Sequence, residues 1–209
     1  MRRLRSLFHI VAVLVILVWM SVTSASQDCC HSSARKAELP ATAPDAPLSL
    51  LSPEELRKEF NASSQKVRIV ALLSPTCSEC QSGHAVVGGI LKRFRSARLQ
   101  ALLVWEPMRE GDSPEAAADQ AEAVRDARIS QGWDGSRDVG KLFGATLDLQ
   151  ETAWDVYLIY KPGIIWEGQR PPHPTFWMHQ LDGADPSLLL CVNPSRLSTE
   201  VGKLLDRPD

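Results

Sequence analysis

Two cysteines separated by two residues, in the segment Cys77-Ser78-Glu79-Cys80, constrain the fold of this chain more than any other feature. They follow a short apolar run, Val67–Leu73, whose branched residues are typical of a buried β-strand. Ser74-Pro75-Thr76 ends that strand, and the apolar periodicity from Cys77 to about Arg95 is that of a helix. The sequence therefore predicts that the cysteine pair begins a helix directly after a buried strand.

This placement suits thiol chemistry. The thiolate is the nucleophile in disulfide exchange, and a helix N-terminus stabilises its negative charge and lowers the thiol pKa. A spacing of two residues puts the second thiol one helical turn further on, where it can attack a mixed disulfide. By analogy with that arrangement, Cys77 is the exposed attacking thiol and Cys80 the resolving one. A structural zinc site would need a second ligand pair at short spacing, which the sequence lacks.

The rest of the folded body alternates helices and strands. Helices are predicted over 53–60, 114–128, 136–144 and 195–205, and strands over 99–105, 128–133, 155–160 and 164–167. A turn at 161–163 joins the last two strands, and a segment rich in proline and aromatic residues follows at 168–180. That segment forms either a recognition groove or a connection pinned to the sheet by its rings. The order predicts an α/β fold with a mixed central sheet flanked by helices.

Residues 50 to 206, with Ser74-Pro75-Thr76-Cys77-Ser78-Glu79-Cys80 between a strand and a helix, resemble the thioredoxin-like superfamily. The resemblance implies a thioredoxin-like fold and disulfide exchange at Cys77 and Cys80, which would form a disulfide with each other. It also implies protein thiols or disulfides as substrates and a redox partner protein. We expect no cofactor and no metal at this site.

The chain departs from the pattern of that superfamily at three places. Its members usually carry Trp before the first cysteine, where this chain has Thr76, and a buried proton-accepting Asp where it has Ala71. They also place a cis-proline before the strand that faces the cysteines, where this chain has Ala153-Trp154-Asp155. The proline-containing loop that holds the substrate backbone in the superfamily therefore has no counterpart in this sequence.

Two residues near the cysteines are candidate modulators. Glu79 places a negative charge between the thiols, which opposes thiolate formation and predicts a more reducing couple. His84 lies four residues after Cys80 on the same helical stripe. It could tune the thiols or bind a metal with them, or it could be a partly buried histidine bonded to the backbone.

The N-terminus has the pattern of an export signal. Arg2, Arg3 and Arg5 precede an apolar run over residues 7–22, with small residues after it. Residues 1–26 are thus either a cleaved signal peptide or an uncleaved membrane anchor, and both predict export to a periplasmic or other extracytoplasmic space. Residues 27–48 have the composition of a flexible linker, and residues 49–209 form the predicted thioredoxin-like domain.

Composition and the other cysteines add less. The net charge of −2 gives no reason to expect nucleic acid as a partner, and the chain carries no phosphate-loop, Ser-His-Asp or zinc-protease motif. Three further cysteines complete the set of five. Cys29-Cys30-His31 is either a flexible segment or a soft cluster able to hold a metal with the central thiols, and Cys191 has the context of a buried, inert thiol.

Three functions fit these observations. The first is an exported thiol–disulfide oxidoreductase that uses the two central cysteines. The second is a thiol-based module for copper or mercury on the same fold. The third is a non-catalytic interaction domain that keeps a structural disulfide.

Overall fold

The computed structural model of the protein describes residues 48–180 and 193–206. The predicted signal or anchor over 1–26, nearly all of the predicted linker, and Cys29, Cys30 and Cys191 lie outside these ranges. Within the described ranges, no helix combines the length and the apolar character that a membrane crossing requires.

A five-stranded mixed sheet forms the centre of the domain. Its strands are β1 (Val67–Leu73), β2 (Leu99–Trp105), β3 (Ile129–Trp133), β4 (Val156–Tyr160) and β5 (Phe176–His179). They lie in the order β3-β2-β1-β4-β5. Strands β1, β2 and β3 are parallel, whereas β4 is antiparallel to both β1 and β5. The predicted mixed α/β sheet is confirmed.

Within the described residues, five helices flank this sheet. They are α1 (Pro53–Ala62), α2 (Ser78–Arg93), α3 (Pro114–Ala123), α4 (Asp138–Thr146) and α5 (Pro194–Leu205). Ser52, Ser113 and Asn193 cap α1, α3 and α5 through their side chains, as a cap followed by proline predicts. Helix α3 stops at Ala123, before the expected end near Arg128.

The helices form one layer on each face of the sheet. Alternate residues of β1, among them Ile69 and Ala71, face a core that α2, α3 and α5 cover. The residues between them, Val70 and Leu72, face a second core that α1 and α4 cover. Every residue of β1 is buried and all but Arg68 are apolar, so the strand does not alternate between apolar and polar residues.

The predicted strand over 164–167 is wrong, because backbone groups of this segment form hydrogen bonds with side chains of α1 and β1 instead of with another strand. Arg68, fully buried in β1, donates to the Ile164 carbonyl at 2.9 Å. Asn61 accepts from the Trp166 amide at 2.8 Å and donates to its carbonyl at 3.1 Å. Side chains distant in sequence thus satisfy the backbone groups that a hairpin strand would have paired.

The strand that pairs with β4 comes instead from the aromatic segment over 168–180. Strand β5 runs antiparallel to β4, with Val156 opposite His179 and Ile159 opposite Phe176. Phe176 and Trp177 are partly buried, and each packs against one of the two cores. These rings pin the connection to the sheet, which is the second of the two interpretations of this segment.

The two cysteines and several buried acids lie at one edge of the sheet. Because β1, β2 and β3 are parallel, their carboxyl ends meet at the same edge, and antiparallel β4 begins there. Leu73, Trp105 and Trp133 lie side by side at the ends of these three strands. We call this side of the sheet the carboxyl edge, and the cysteine pair follows β1 at this edge.

Candidate active site

Cys77 is the N-cap residue of α2, so the predicted position of the pair at a helix start is confirmed. Its sulfur accepts a hydrogen bond from the Cys80 backbone amide at 3.4 Å. Gln81 donates to the Pro75 carbonyl at 2.8 Å and holds the preceding turn against the helix. The helix N-terminus thereby directs an N–H donor and its positive end at the Cys77 sulfur.

The two thiols have opposite acidities. A hydrogen bond from the Cys80 thiol, together with the Cys80 backbone amide, lowers the pKa of Cys77 although burial acts the other way. Burial raises the pKa of Cys80 well above its usual range, and the hydrogen bond to Cys77 adds to this effect. Cys77 is therefore the thiol that ionises first.

The exposure of the pair differs from the expectation. Cys77, expected to be exposed, is only 2% exposed, and Cys80 is completely buried. Both cysteines are free in the structure, so the disulfide between them stays a prediction.

Asp155 is the main residue that the sequence did not identify as part of the site. It directly precedes β4, is 2% exposed, and has a left-handed backbone with φ of 50°. Its carboxylate and the sulfurs of Cys77 and Cys80 all lie within 4.8 Å of one another. Burial raises the pKa of Asp155. No cis peptide bond occurs in the described ranges, so the backbone that leads into β4 is trans throughout.

Two donors hold the Asp155 carboxylate in place. The Tyr157 hydroxyl donates to it at 2.9 Å, and the Gln180 side-chain amide donates to its two oxygens at 3.1 and 3.3 Å. The same Gln180 amide nitrogen lies 3.1 Å from the Glu79 carbonyl oxygen, to which it also donates. The residue after β5 is thereby tied both to the acid and to the first turn of α2.

A glycine in α2 makes room for this arrangement. A Cβ at Gly83 would overlap the Tyr157 hydroxyl, which is fully buried. A Cβ at Gly88 would collide with Val124, whereas Gly89 faces open space. The close packing of α2 against its neighbours thus depends on the missing side chains of Gly83 and Gly88.

Glu79 lies on the solvent side of the pair. The Cys77 thiol donates to its carboxylate at 3.4 Å, and the Ser78 hydroxyl donates to the same oxygen at 2.9 Å. This hydrogen bond from the Cys77 thiol to Glu79 stabilises the protonated form and raises the pKa of Cys77, against the hydrogen bonds that lower it. This is the direction expected from its charge, although its contribution is the smallest.

His84 lies apart from the thiols. Its ring is 1% exposed and packs edge-on against Trp105, with 5.1 Å between ring centroids. Burial lowers the pKa of His84 to about 4, so the ring is neutral near neutral pH. Among the described residues, the group of donor atoms within 4.8 Å contains Asp155 and the two cysteines without His84. Its role as a modulator stays a prediction.

Asp112 orders the turn that precedes the cysteines. Its carboxylate accepts from the Ser74 hydroxyl at 2.8 Å and from the Thr76 amide and hydroxyl at 3.0 and 2.7 Å. It also accepts from the amides of Met108 and Arg109, both at 2.8 Å. One carboxylate thus joins the end of β1 to the loop after β2, and no sequence signal distinguished it from its acidic neighbours.

Comparison with known proteins yields matches among solved structures only, since no protein-family model and no curated sequence matches the chain. A candidate thiol:disulfide interchange protein DsbE from Chlorobium tepidum is 13% identical, with a TM-score of 0.47 over 78% of this chain and 94% of that one. A secreted Mycobacterium tuberculosis disulfide oxidoreductase homologous to E. coli DsbE is 12% identical, with a TM-score of 0.42 over 68% and 86%. MTB dsbF, in its mixed oxidised and reduced forms, is 15% identical, with a TM-score of 0.44 over 69% and 84%. Because these identities are low, the fold assignment rests on the strand order and on the position of the cysteines after β1.

Proposed function

The chain has a thioredoxin-like fold, and from this premise we propose that it is an exported thiol–disulfide oxidoreductase. The observation that carries the proposal is the opposite acidity of its two thiols at the start of α2. A couple built for exchange needs one thiol that ionises readily and a second, protonated thiol within reach. A purely structural disulfide needs no such asymmetry.

In the proposed reaction, the Cys77 thiolate attacks a disulfide of the substrate. A mixed disulfide forms between Cys77 and one substrate sulfur, and the other substrate sulfur leaves as a thiolate. Cys80 then attacks Cys77, which forms the Cys77–Cys80 disulfide and releases the second substrate thiolate. The substrate disulfide gains two electrons, and the cysteine pair loses them. The same steps in reverse oxidise a substrate dithiol.

The substrates proposed for this centre are the thiols or disulfides of exported proteins, with a partner protein that restores its redox state. The contact between the Cys77 thiol and Glu79 supports a couple on the reducing side, because a carboxylate beside the sulfur disfavours the thiolate. A redox potential as oxidising as that of a dedicated disulfide donor would contradict this direction.

Single-cysteine variants test the activity. We expect Cys77→Ser to abolish the reduction of a protein disulfide, and Cys80→Ser to accumulate a mixed disulfide at Cys77 that mass spectrometry detects. Cys191, whose context in the sequence is that of an inert thiol, provides the matched control, and Cys191→Ser should retain exchange. Full activity in Cys77→Ser would overturn the proposal.

The two alternative functions give different results in a redox titration run with and without copper. A metal module would bind copper or mercury stoichiometrically and only while its thiols are reduced. A non-catalytic interaction domain would hold a disulfide that glutathione does not reduce. The oxidoreductase proposal requires instead that the cysteine pair exchanges with glutathione. Its redox potential should be the same with and without copper.

Export is proposed from the N-terminal sequence pattern. Fusion of residues 1–48 to a reporter that is active only outside the cytoplasm tests it. Replacement of Arg2, Arg3 and Arg5 by acidic residues should lower reporter activity, because the basic residues orient the apolar segment. The size of the mature chain, measured by mass spectrometry, separates a cleaved signal from an anchor over residues 7–22.

A further inference from the structure

We propose that Asp155 is a catalytic residue that accepts the proton of Cys80 when Cys80 resolves the mixed disulfide. This inference rests on the proposed exchange function and adds the group that makes its second step possible. The geometry that carries it is the position of the Asp155 carboxylate, which lies with both sulfurs within 4.8 Å at a place almost closed to solvent.

The second step requires a proton acceptor because Cys80 is buried as a thiol. Its side chain has no exposed surface, and burial raises its pKa well above the usual range. The nucleophile in exchange is the thiolate, so the proton must leave before or during the attack. Without exposed surface, bulk water cannot take that proton directly.

Among the described residues, few groups could accept it. Cys77, the nearest, is bonded to the substrate sulfur in the mixed disulfide and carries no free thiolate at that point. Glu79 accepts a hydrogen bond from Cys77 on the solvent side of the pair. It does not belong to the group formed by Asp155 and the two sulfurs within 4.8 Å of one another. Tyr157 uses its hydroxyl as a donor to Asp155, and burial raises its pKa well above the usual range. Asp155 is the remaining acceptor.

The surroundings of Asp155 fit this role. Burial raises its pKa, and the Glu79 charge on α2 acts in the same direction, which brings the acid closer to the thiol in basicity. The Gln180 amide, the Tyr157 hydroxyl and the Cys80 thiol act in the opposite direction and stabilise its anion. The carboxylate is thus both ionisable and a better base than a solvated aspartate.

The proposed step balances as follows. The Cys80 proton moves to a carboxylate oxygen of Asp155 while the Cys80 sulfur bonds to the Cys77 sulfur. The bond between Cys77 and the substrate sulfur breaks, and its electron pair leaves with the substrate thiolate. That thiolate, or water entering as the substrate departs, then takes the proton from Asp155.

Asp155→Asn is the direct test, because it removes the base and keeps the shape. Asparagine adopts left-handed backbone readily, so a φ of 50° is compatible with the variant. The probe is dithiodipyridine, a neutral small disulfide that releases one thiopyridone when Cys77 attacks and a second when Cys80 resolves. Stopped-flow absorbance separates the two releases in a single turnover.

We expect Asp155→Asn to slow the second release at least tenfold at neutral pH and to change the first less than threefold. The second release should recover towards the wild-type rate as pH rises, because a larger fraction of Cys80 is then ionised at equilibrium without the base. Glu106→Gln, which removes a buried carboxyl elsewhere at the carboxyl edge, is the matched control and should leave both releases unchanged. Circular dichroism confirms that each variant is folded.

Other outcomes are equally informative. An unchanged second release in folded Asp155→Asn would overturn the role of Asp155, as would equal slowing of both releases. If the wild-type chain shows a first release and no second one, the proposed exchange function fails, whatever Asp155 does.

Tyr157→Phe gives an independent reading that keeps the carboxylate. Loss of the hydroxyl that donates at 2.9 Å should destabilise the Asp155 anion and raise its pKa. The pH profile of the second release should therefore move to higher pH, with its plateau retained. A purely structural role for Asp155 would leave the midpoint of that profile where it is.

Discussion

Two buried acids, Asp155 and Glu106, lie at the carboxyl edge of the same sheet and differ in what they touch. Asp155 precedes β4 and is 2% exposed, and Glu106 follows β2 and is completely buried. Burial raises the pKa of both acids, that of Glu106 well above its usual range. Each also lies beside the start of a helix, α2 for Asp155 and α4 for Glu106. Burial and a raised pKa alone would therefore mark both acids as candidate catalytic residues.

The groups that each acid contacts distinguish the two. Asp155 faces two thiols, whereas Glu106 accepts from the Gly140 amide at 2.7 Å and lies near the charge of Asp134. Asp134 in turn accepts from the Val139 amide at 2.7 Å. Glu106 and Asp134 thus both bind the first turn of α4, and the raised pKa of Glu106 accompanies a structural contact. A shifted pKa indicates catalysis only where the acid also touches a group that must exchange a proton.

The largest expected effect comes from filling the space beside each acid. Gly83→Ala would push a methyl group into the Tyr157 hydroxyl, and Gly140→Ala would push one into Glu106 and the Ala153 carbonyl. We expect each to lower the free energy of unfolding by about 3 kcal/mol, as overpacking does in cores, measured by urea denaturation. Only Gly83→Ala should also slow the second release from the dithiodipyridine adduct, since only it displaces the partners of Asp155.

Gly89→Ala is the control for helix propensity in that experiment. Gly89 faces open space, so alanine there should stabilise the protein by up to about 1 kcal/mol. If Gly83→Ala were as harmless as Gly89→Ala, the close contact between α2 and Tyr157 would be absent in solution. If Gly140→Ala also slowed the second release, the two acid clusters would not be independent.

The pH dependence of stability should single out Glu106. Because the pKa of Glu106 is raised in the fold, the folded protein keeps this proton to higher pH than the unfolded chain. The native state therefore loses stability as pH rises above the ordinary glutamate pKa, until the buried carboxyl ionises. Glu106→Gln cannot ionise, so its stability relative to wild type should improve as pH rises from about 5 to about 8.

Urea denaturation of both proteins at the two pH values measures this difference. Exchange kinetics of Glu106→Gln should match wild type at each pH. A stability difference that does not depend on pH would show that Glu106 ionises in the fold as it does in water.

A smaller effect should follow from loosening the turn before the cysteines. Asp112→Ala removes the acceptor shared by Ser74, Thr76 and the loop after β2, and we expect it to cost about 1–2 kcal/mol of stability. The amides of residues 74–77 should also exchange faster with deuterium. Asp112→Asn, which keeps one acceptor oxygen, should recover part of both effects. Equal protection in wild type and Asp112→Ala would contradict the ordering role.

The smallest expected effect is that of Glu79. Glu79→Gln removes the partly exposed charge to which the Cys77 thiol donates, so the pKa of Cys77 should fall slightly. A more stable thiolate favours the reduced pair, and the couple should become more oxidising by about 15 mV, equivalent to less than 1 kcal/mol. Equilibration with glutathione measures the potential, and a shift in the reducing direction would contradict this role.

Local pattern was enough to locate the cysteine pair and most of the sheet. Strands β1 and β2 have the predicted bounds, and the caps of α1, α3 and α5 lie where a capping side chain followed by proline placed them. The pattern failed for residues 164–167, because Arg68 and Asn61 take their backbone partners from across the fold. It missed β5 because that strand is short and lies in a proline-rich segment.

The acids show where sequence reasoning ends. Asp112, Asp134 and Asp155 are all aspartates in ordinary contexts along the chain, and no local signal separates a turn anchor from a helix anchor or a proton acceptor. Their roles depend on which strand ends meet at the carboxyl edge. That meeting is set by strand order and direction, which join residues far apart in sequence.

The sequence by itself determined that a buried strand delivers two cysteines to the start of a helix, since apolar periodicity and capping act over a few neighbouring residues. Tertiary structure alone decided that Cys77 is buried, that His84 turns away to Trp105, and that Asp155 stands beside the thiols. The physical reason is the distance along the chain over which each interaction acts. Hydrogen bonds within a helix turn join residues a few positions apart, so the local sequence determines them. The burial and charge that set the pKa of a thiol come from strands that are distant in sequence and pack against it.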